Sequence, residues 1–273
     1  MAKRQKAKRA RKKVILFIVE GVSDRRALEG PLTELIEQSP DGGRFRILFS
    51  TGLTGQMDAG HFGGDLTTVN GASAEGMEAV LNRRCIAQSM DRHRYLPSDL
   101  YRIIMITDTD GAYIDDADVC QLAPEEDERK EHILYTPEGI RAANPEKIRE
   151  RNAKKRETMD FLARDLYNSR LKVFKGENTS VTKPFSIYYF SCNLDHYLHG
   201  VQNMDGSRKF DAADRFSVEC TDDPGLFARR IQDPAIAGMT YEESWDYIRQ
   251  GRNSLQRHTN LGLLVDEIAR GEL

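Results

Sequence analysis

The chain has 273 residues, 39% apolar and 30% charged, enough to bury one large core or two small ones and too apolar for disorder throughout. Its net charge of −3 is unevenly spread: eight lysines and arginines fall within the first 13 residues, and with these set aside the remainder carries −11. An acidic body with a basic tip excludes a protein wrapped on all sides in phosphate contacts, while leaving room for a local basic surface.

Residues 14–19 read VILFIV, the uninterrupted β-branched run expected of a strand buried on both faces of a parallel sheet. At six residues, ended by Glu20 and Gly21, the run is too short for a signal-peptide core or a membrane span. From Ser23 to Gln38 the apolar Ala27, Leu28, Leu32, Leu35 and Ile36 recur at helical spacing, with Ser23 as the expected N-cap and the Pro40–Gly43 tetrapeptide as the stop. A strand at 45–49 would complete a β-α-β unit. Seven glycines between 51 and 76 predict a long loop close to the site or its ligand, followed by a helix at about 74–90.

Residues 102–107 (RIIMIT) form a second buried-type strand, which runs into Asp108, Thr109, Asp110 and Gly111. Charge dominates residues 115–170, including an acidic run at 125–128 and a basic one at 149–156. Only Met159, Phe161, Leu162 and Leu166 make a stripe able to cover a sheet, so residues 112–158 read as a charged, solvated, helical insertion. A late strand at 186–190 precedes Asn193, a candidate cap for a helix with Asp195 in its first turn. The cluster Tyr188, Tyr189 and Phe190 reads as core rather than as a platform for stacked bases. Beyond residue 200 the signals are mostly helical, at 241–249 and 260–269 among others. The expected organisation is a basic tail at 1–13, a catalytic domain at 14–200 and a helical region at 201–273. Cys85, Cys120, Cys192 and Cys220 form no C-x-x-C pair, so neither a zinc ribbon nor a thioredoxin-like redox site is expected, and a reduced, cytoplasmic protein without membrane association is.

Residues just past the carboxyl ends of parallel strands share one edge, and strands 1 and 3 are commonly neighbours there. Glu20 then meets Asp108 and Asp110. Neighbouring strands lie about 4.8 Å apart, and two bare carboxylates at ~4 Å repel by roughly 4 kcal/mol at an effective dielectric of 20. Such a group requires counter-charge, and Mg²⁺, or Mn²⁺ in its place, suits oxygen ligands with positions left open for water and phosphate. Two such ions can activate a water and stabilise the leaving oxygen of a phosphodiester. His196 and His199, three apart on the expected helix, have no third ligand at suitable spacing and read as ordinary polar or packing residues.

The strand-Glu20-Gly21 element with Asp24, followed by strand-Asp108-Thr109-Asp110-Gly111, resembles the TOPRIM domain of topoisomerases, primases and OLD-family nucleases. The spacing of Glu20 and Asp24 is similar to that of the paired acids of the OLD type, and residues 191–198 resemble its later serine and acid element; the likeness spans roughly residues 13–200. It implies a TOPRIM-like α/β fold, Glu20, Asp24, Asp108, Asp110 and Asp195 as catalytic and metal-binding acids, and a downstream basic residue for which Lys209, Arg252 and Arg257 are candidates. The chain lacks the G-x-x-x-x-G-K-[ST] loop, so an accompanying ATPase has to be a separate protein. That arrangement resembles the nuclease subunit of PARIS-type anti-phage systems. The resemblance thus implies a Mg²⁺-dependent nuclease of DNA or RNA, the toxic effector of a defence system held by an ATPase partner, with a homodimer as a further possible assembly.

Two other readings use the same residues. In a haloacid-dehalogenase-like phosphatase, Asp108 is the nucleophile, Asp110 the acid/base and the Asp222–Asp223 pair the Mg²⁺ ligand, but Glu20 has no part and the motif comes about a hundred residues late. A non-catalytic binding module keeps the fold without turnover. For the basic tail, a solvated segment and a nucleic-acid contact are both open, separable by salt dependence.

Overall fold

Residues 12–51, 65–68, 73–74, 76–123, 133–165, 171–174 and 180–273 are described by a computed structural model. The basic tail up to residue 11, most of the glycine-rich stretch, the acidic run at 125–128 and Leu166 lie outside the described residues.

Strand β1 (Lys13–Ile18) has no exposed side chain from Val14 to Ile18, as its apolar run requires of a strand covered on both faces. Helix α1 (Val22–Gln38) begins two residues earlier than an N-cap at Ser23 implies. Gly21 is its N-cap, and Asp24, in the first turn, accepts the Gly21 N–H at 2.8 Å. The helix buries Ala27, Leu28, Leu32 and Ile36 and leads to β2 (Phe45–Ser50), which pairs parallel to β1.

The expected helix at 74–90 consists of α2 (Met77–Leu81), a π-helical turn (Asn82–Ile86) and α3 (Ala87–Arg92) in unbroken succession. It feeds β3 (Leu100–Asp108), also parallel to β1. The insertion departs from a solvated helical arm. Short strands β4 (Val119–Gln121), β5 (Ile133–Thr136) and β6 (Gly139–Ala142) form a separate sheet, and Ile114, Val119, Ile140, Ala142, Ile148, Cys192 and Leu255 make a small core beside it. Asn144 caps α4 (Pro145–Asp160), accepting the Lys147 N–H at 3.1 Å.

An unanticipated hairpin, β7 (Leu171–Phe174) with β8 (Ser180–Lys183), precedes β9 (Phe185–Phe190), every residue of which is buried. Tyr189 stacks edge-on against Trp245 at 5.0 Å, a core contact. The central sheet has the order β2-β1-β3-β9, parallel throughout, so the chain is an α/β protein with a largely parallel sheet flanked by helices. The C-terminal region is helical: α5 (Leu194–His199), α6 (Gly206–Asp222), α7 (Leu226–Ile231), α8 (Tyr241–Ile248) and α9 (Leu261–Ala269). Helix α6 lies along α1, close enough that a Cβ at Gly30 would stand 3.3 Å from Ser217 Oγ. No described helix is long and apolar enough to cross a membrane.

Candidate active site

Strands β1 and β3 are neighbours, and their carboxyl ends deliver Glu20 and Asp108 to one edge. Glu20 Oε1 accepts the backbone N–H of Asp108 at 3.1 Å and the hydroxyl of Thr107. Past β3 the chain turns sharply: Asp110 and Gly111 both have left-handed backbone (φ 49° and 67°), a conformation Asp tolerates better than most residues. Thr109 holds this turn to the one after β9. Its N–H donates to Phe190 O at 2.9 Å, its hydroxyl donates to Ser254 O at 2.8 Å, and Cys192 N donates to that hydroxyl at 2.9 Å. Asp108 Oδ1 accepts from Leu194 N at 2.9 Å, which ties the end of β3 to the start of α5 and brings Asp195 to the same rim.

Two lysines lie among these acids. Lys155, on α4 and fully buried, places its ammonium 2.6 Å from Asp110 Oδ2, 3.0 Å from Asp65 Oδ2 and 3.6 Å from Glu20 Oε1. Lys209, on α6, lies 3.0 Å from Asp195 Oδ2 and within electrostatic reach of Asp24 and Asp108. Arg151, one turn before Lys155, donates to Asp110 O at 2.9 Å and to Tyr135 Oη at 3.0 Å, and Tyr135 donates to Asp110 Oδ1 at 3.1 Å. Six carboxyl groups (Glu20, Asp24, Asp65, Asp108, Asp110 and Asp195) thus share the rim with three cationic side chains.

The imbalance shows in protonation. Burial pushes Glu20 up to about 8, and the charges of Asp65 and Asp110 add to this against the pull of Lys155. Burial likewise raises Asp108 well above the usual carboxylate range, followed by repulsion from Glu20, Asp24 and Asp110. Asp24 is raised by burial and by Asp195, against the Gly21 hydrogen bond and Lys209. Asp110 alone of these is held low: burial opposes it, but Lys155, Arg151 and the hydrogen bonds from Lys155 and Tyr135 together outweigh burial. Lys155 stays protonated despite burial because Asp110, Asp65 and Glu20 surround it.

All five acids singled out in the sequence therefore stand at one edge. Of the three basic candidates only Lys209 reaches it; Arg252 pairs with Asp118, and Arg257 donates to Tyr197 O at 2.7 Å. Sequence reasoning missed Asp65, Arg151, Tyr135 and Lys155. Asp65 belongs to the stretch expected to lie near the site, and Lys154 Nζ, donating to Thr68 O at 2.9 Å, holds that segment against α4. The signal for Lys155 was a stripe. Ile148, Asn152, Lys155 and Met159 recur at spacings of four, three and four, and all four are buried.

Among the described residues no three His, Cys, Asp or Glu side chains converge as metal ligands do. Where Glu20, Asp65 and Asp110 meet stands the Lys155 ammonium. Comparison with protein-family models, with curated proteins and with solved structures finds no match.

Proposed function

We propose that this edge is the active centre of a metal-dependent nuclease of the TOPRIM type, hydrolysing phosphodiester bonds of DNA or RNA. The observation that carries the reading is the excess of carboxylates: side chains from the ends of two adjacent parallel strands and from two helices gather at one rim, outnumbering the cations among them. The donor set is entirely oxygen, the set a hard divalent cation takes. Burial and repulsion from neighbouring carboxylates raise Glu20 and Asp108 above the usual carboxylate range, and a divalent charge relieves the cost of ionising them. Asp24, Asp108 and Asp195, with Glu20, are the residues that would hold Mg²⁺ or Mn²⁺. When bound, the ion supplies a water of lowered pKa and charge stabilisation for the leaving oxygen.

The chain's own residues account for the rest. Thr107 and the Asp108 N–H fix the Glu20 carboxyl by hydrogen bonds to one of its oxygens. Lys209, paired to Asp195 at the half-exposed side of the cluster, is positioned to bear on a phosphate oxygen as negative charge builds there. Lys155 offsets the charge of Asp110, Asp65 and Glu20 from the buried side, so that the acids collect without a second ion. The phosphatase reading leaves Glu20 idle and assigns metal binding to the end of α6, where Asp223 is already tied to Arg229.

The test is cleavage of labelled single- and double-stranded DNA and RNA by the full chain with Mg²⁺ or Mn²⁺. Glu20→Gln and Asp108→Asn are expected to abolish cutting, and chelation to stop the wild type. Hydrolysis of small phosphoesters that survives Glu20→Gln would transfer the assignment to the phosphatase reading. Control by an ATPase partner in phage defence, the role the family resemblance suggests, is tested by phage challenge of cells carrying the chain with and without the neighbouring genes. Protection that outlasts Glu20→Gln would refute the effector role.

A further inference from the structure

Next to the acid rim, α5 and α6 flank an open pocket of about 580 Å³ whose arginines are exposed. Arg208, Arg215, Arg230 and Arg257 line it, with Asp211 and Glu219 as its acids. Arg208 and Arg215 are seven residues apart on α6, two turns, and so share a face of the helix. Arg257 Nε donates to Tyr197 O at 2.7 Å and Arg230 Nη1 to Leu198 O at 3.3 Å, so both guanidinium groups are held at the carboxyl end of α5 with other N–H groups left to donate.

These arginines share the absence of an ion pair among the described residues. Eleven other arginines are engaged in ion pairs, at exposed and half-buried positions alike. None of the four around the cavity has a described carboxylate within ion-pair distance, although Asp211 and Glu219 are close by. Four guanidinium groups around one hollow, without a carboxylate partner among the described residues, repel each other and present the planar, forked donor sets that match phosphate oxygens.

The cavity is also next to the candidate active site. Asp195, in the first turn of α5, belongs to the acid rim, while Leu198 and His199 in its last turn line the cavity, about 6 Å further along the helix. On α6 the consecutive residues Arg208 and Lys209 divide the same way, Lys209 to Asp195 and Arg208 to the cavity.

We propose that the cavity binds a backbone phosphate of a polynucleotide strand and so anchors it within a few nucleotides of the acid rim. The phosphate site stands on the arginines alone; its part in presenting a scissile bond rests on the nuclease reading.

The experiment is fluorescence anisotropy of labelled DNA and RNA oligonucleotides with the full chain in chelator, where binding is read without cleavage. Arg208→Gln/Arg215→Gln is expected to weaken binding roughly tenfold. It should also reduce the salt slope by about 0.9 on duplex, or about 0.7 on single strands, the counterion of one phosphate. A charge-matched control, Arg44→Gln/Arg270→Gln, which alters two ion-paired surface arginines, should leave affinity and slope close to wild type. Equal weakening by both pairs, or none by the first in a chain with unchanged circular dichroism and melting, would overturn the site. Inorganic phosphate and tripolyphosphate serve as competitors: an arginine-dependent response to these with none to oligonucleotides would make it a pocket for free phosphates and overturn the polynucleotide assignment. A wild type that binds strands through these arginines yet never cuts them would leave the cavity standing and refute the nuclease reading.

Discussion

Lys155→Met removes the ammonium that three carboxylates share while keeping a side chain of similar length. Breaking a buried ion pair by deleting one partner costs about 3–5 kcal/mol, because the other charge is left without compensation. Here the partners are Asp110 at 2.6 Å, Asp65 at 3.0 Å and Glu20 at 3.6 Å, with Lys155 itself fully buried. For a chain of this size the loss corresponds to roughly 6–20 °C in Tm, at about 2–4 °C per kcal/mol. Its pH dependence distinguishes charge from packing. In the wild type Asp110 is held below the usual carboxylate range, Lys155 being the largest downward influence against burial. A depressed carboxylate contributes stability that is present above its unfolded pKa, near 4, and disappears as pH falls through the folded value. Without Lys155 that contribution is gone, and Glu20 and Asp108, already raised, rise further, so the variant takes up protons as pH falls. The gap in Tm between wild type and variant should be widest near pH 8 and narrow towards pH 5. Thermal melts across this range measure it. A gap below about 1 kcal/mol, or one that does not change with pH, would refute the assignment of Lys155 as the resident counter-charge.

Gly111 has φ 67°, and a Cβ there would stand 2.5 Å from Leu255 Cδ2 and 3.1 Å from Ile140 Cδ1, so Gly111→Ala should cost about 1–3 kcal/mol in urea titration and disturb the turn that aims Asp110. Burial works to raise Asp233, but hydrogen bonds from His258, Ala235 N and Thr259 N outweigh it and hold the carboxylate low. Asp233→Asn should therefore cost about 2 kcal/mol at neutral pH. The difference should close as pH falls below about 4, where the wild type loses the same contribution, as acid-titration melts would record. Trp245, the chain's single tryptophan, is buried, and its indole N–H has no hydrogen-bond partner among the described residues. Trp245→Phe should accordingly cost less than about 1.5 kcal/mol, whereas Trp245→Ala should cost about 3–5 by denaturant melts.

Three of the central strands were legible because a strand covered on both faces is written as an unbroken apolar run: residues 14–19 and 102–107 match β1 and β3 to within two residues, and the run at 186–190 matches β9. The acids followed from them, since the carboxyl ends of adjacent parallel strands share one edge whatever lies between them in sequence. The insertion was less legible. β4 to β6 have three or four residues each, too few for alternation to stand out, and α4 is polar almost throughout. A buried face that includes Asn152 and Lys155 looks solvated unless its partner acids are already in view, and Asp65 comes from a stretch with no period at all. Local pattern conveys burial of apolar groups well; it conveys little about a charge whose burial is made tolerable only by distant residues.

Calorimetric titration of Mn²⁺ into the full chain tests most directly whether the gathered carboxylates constitute a cation site. Saturable binding of one ion by the wild type, weakened at least about tenfold in Asp108→Asn and in Glu20→Gln, is the predicted result. No binding at millimolar Mn²⁺, or binding that neither substitution alters, would contradict it.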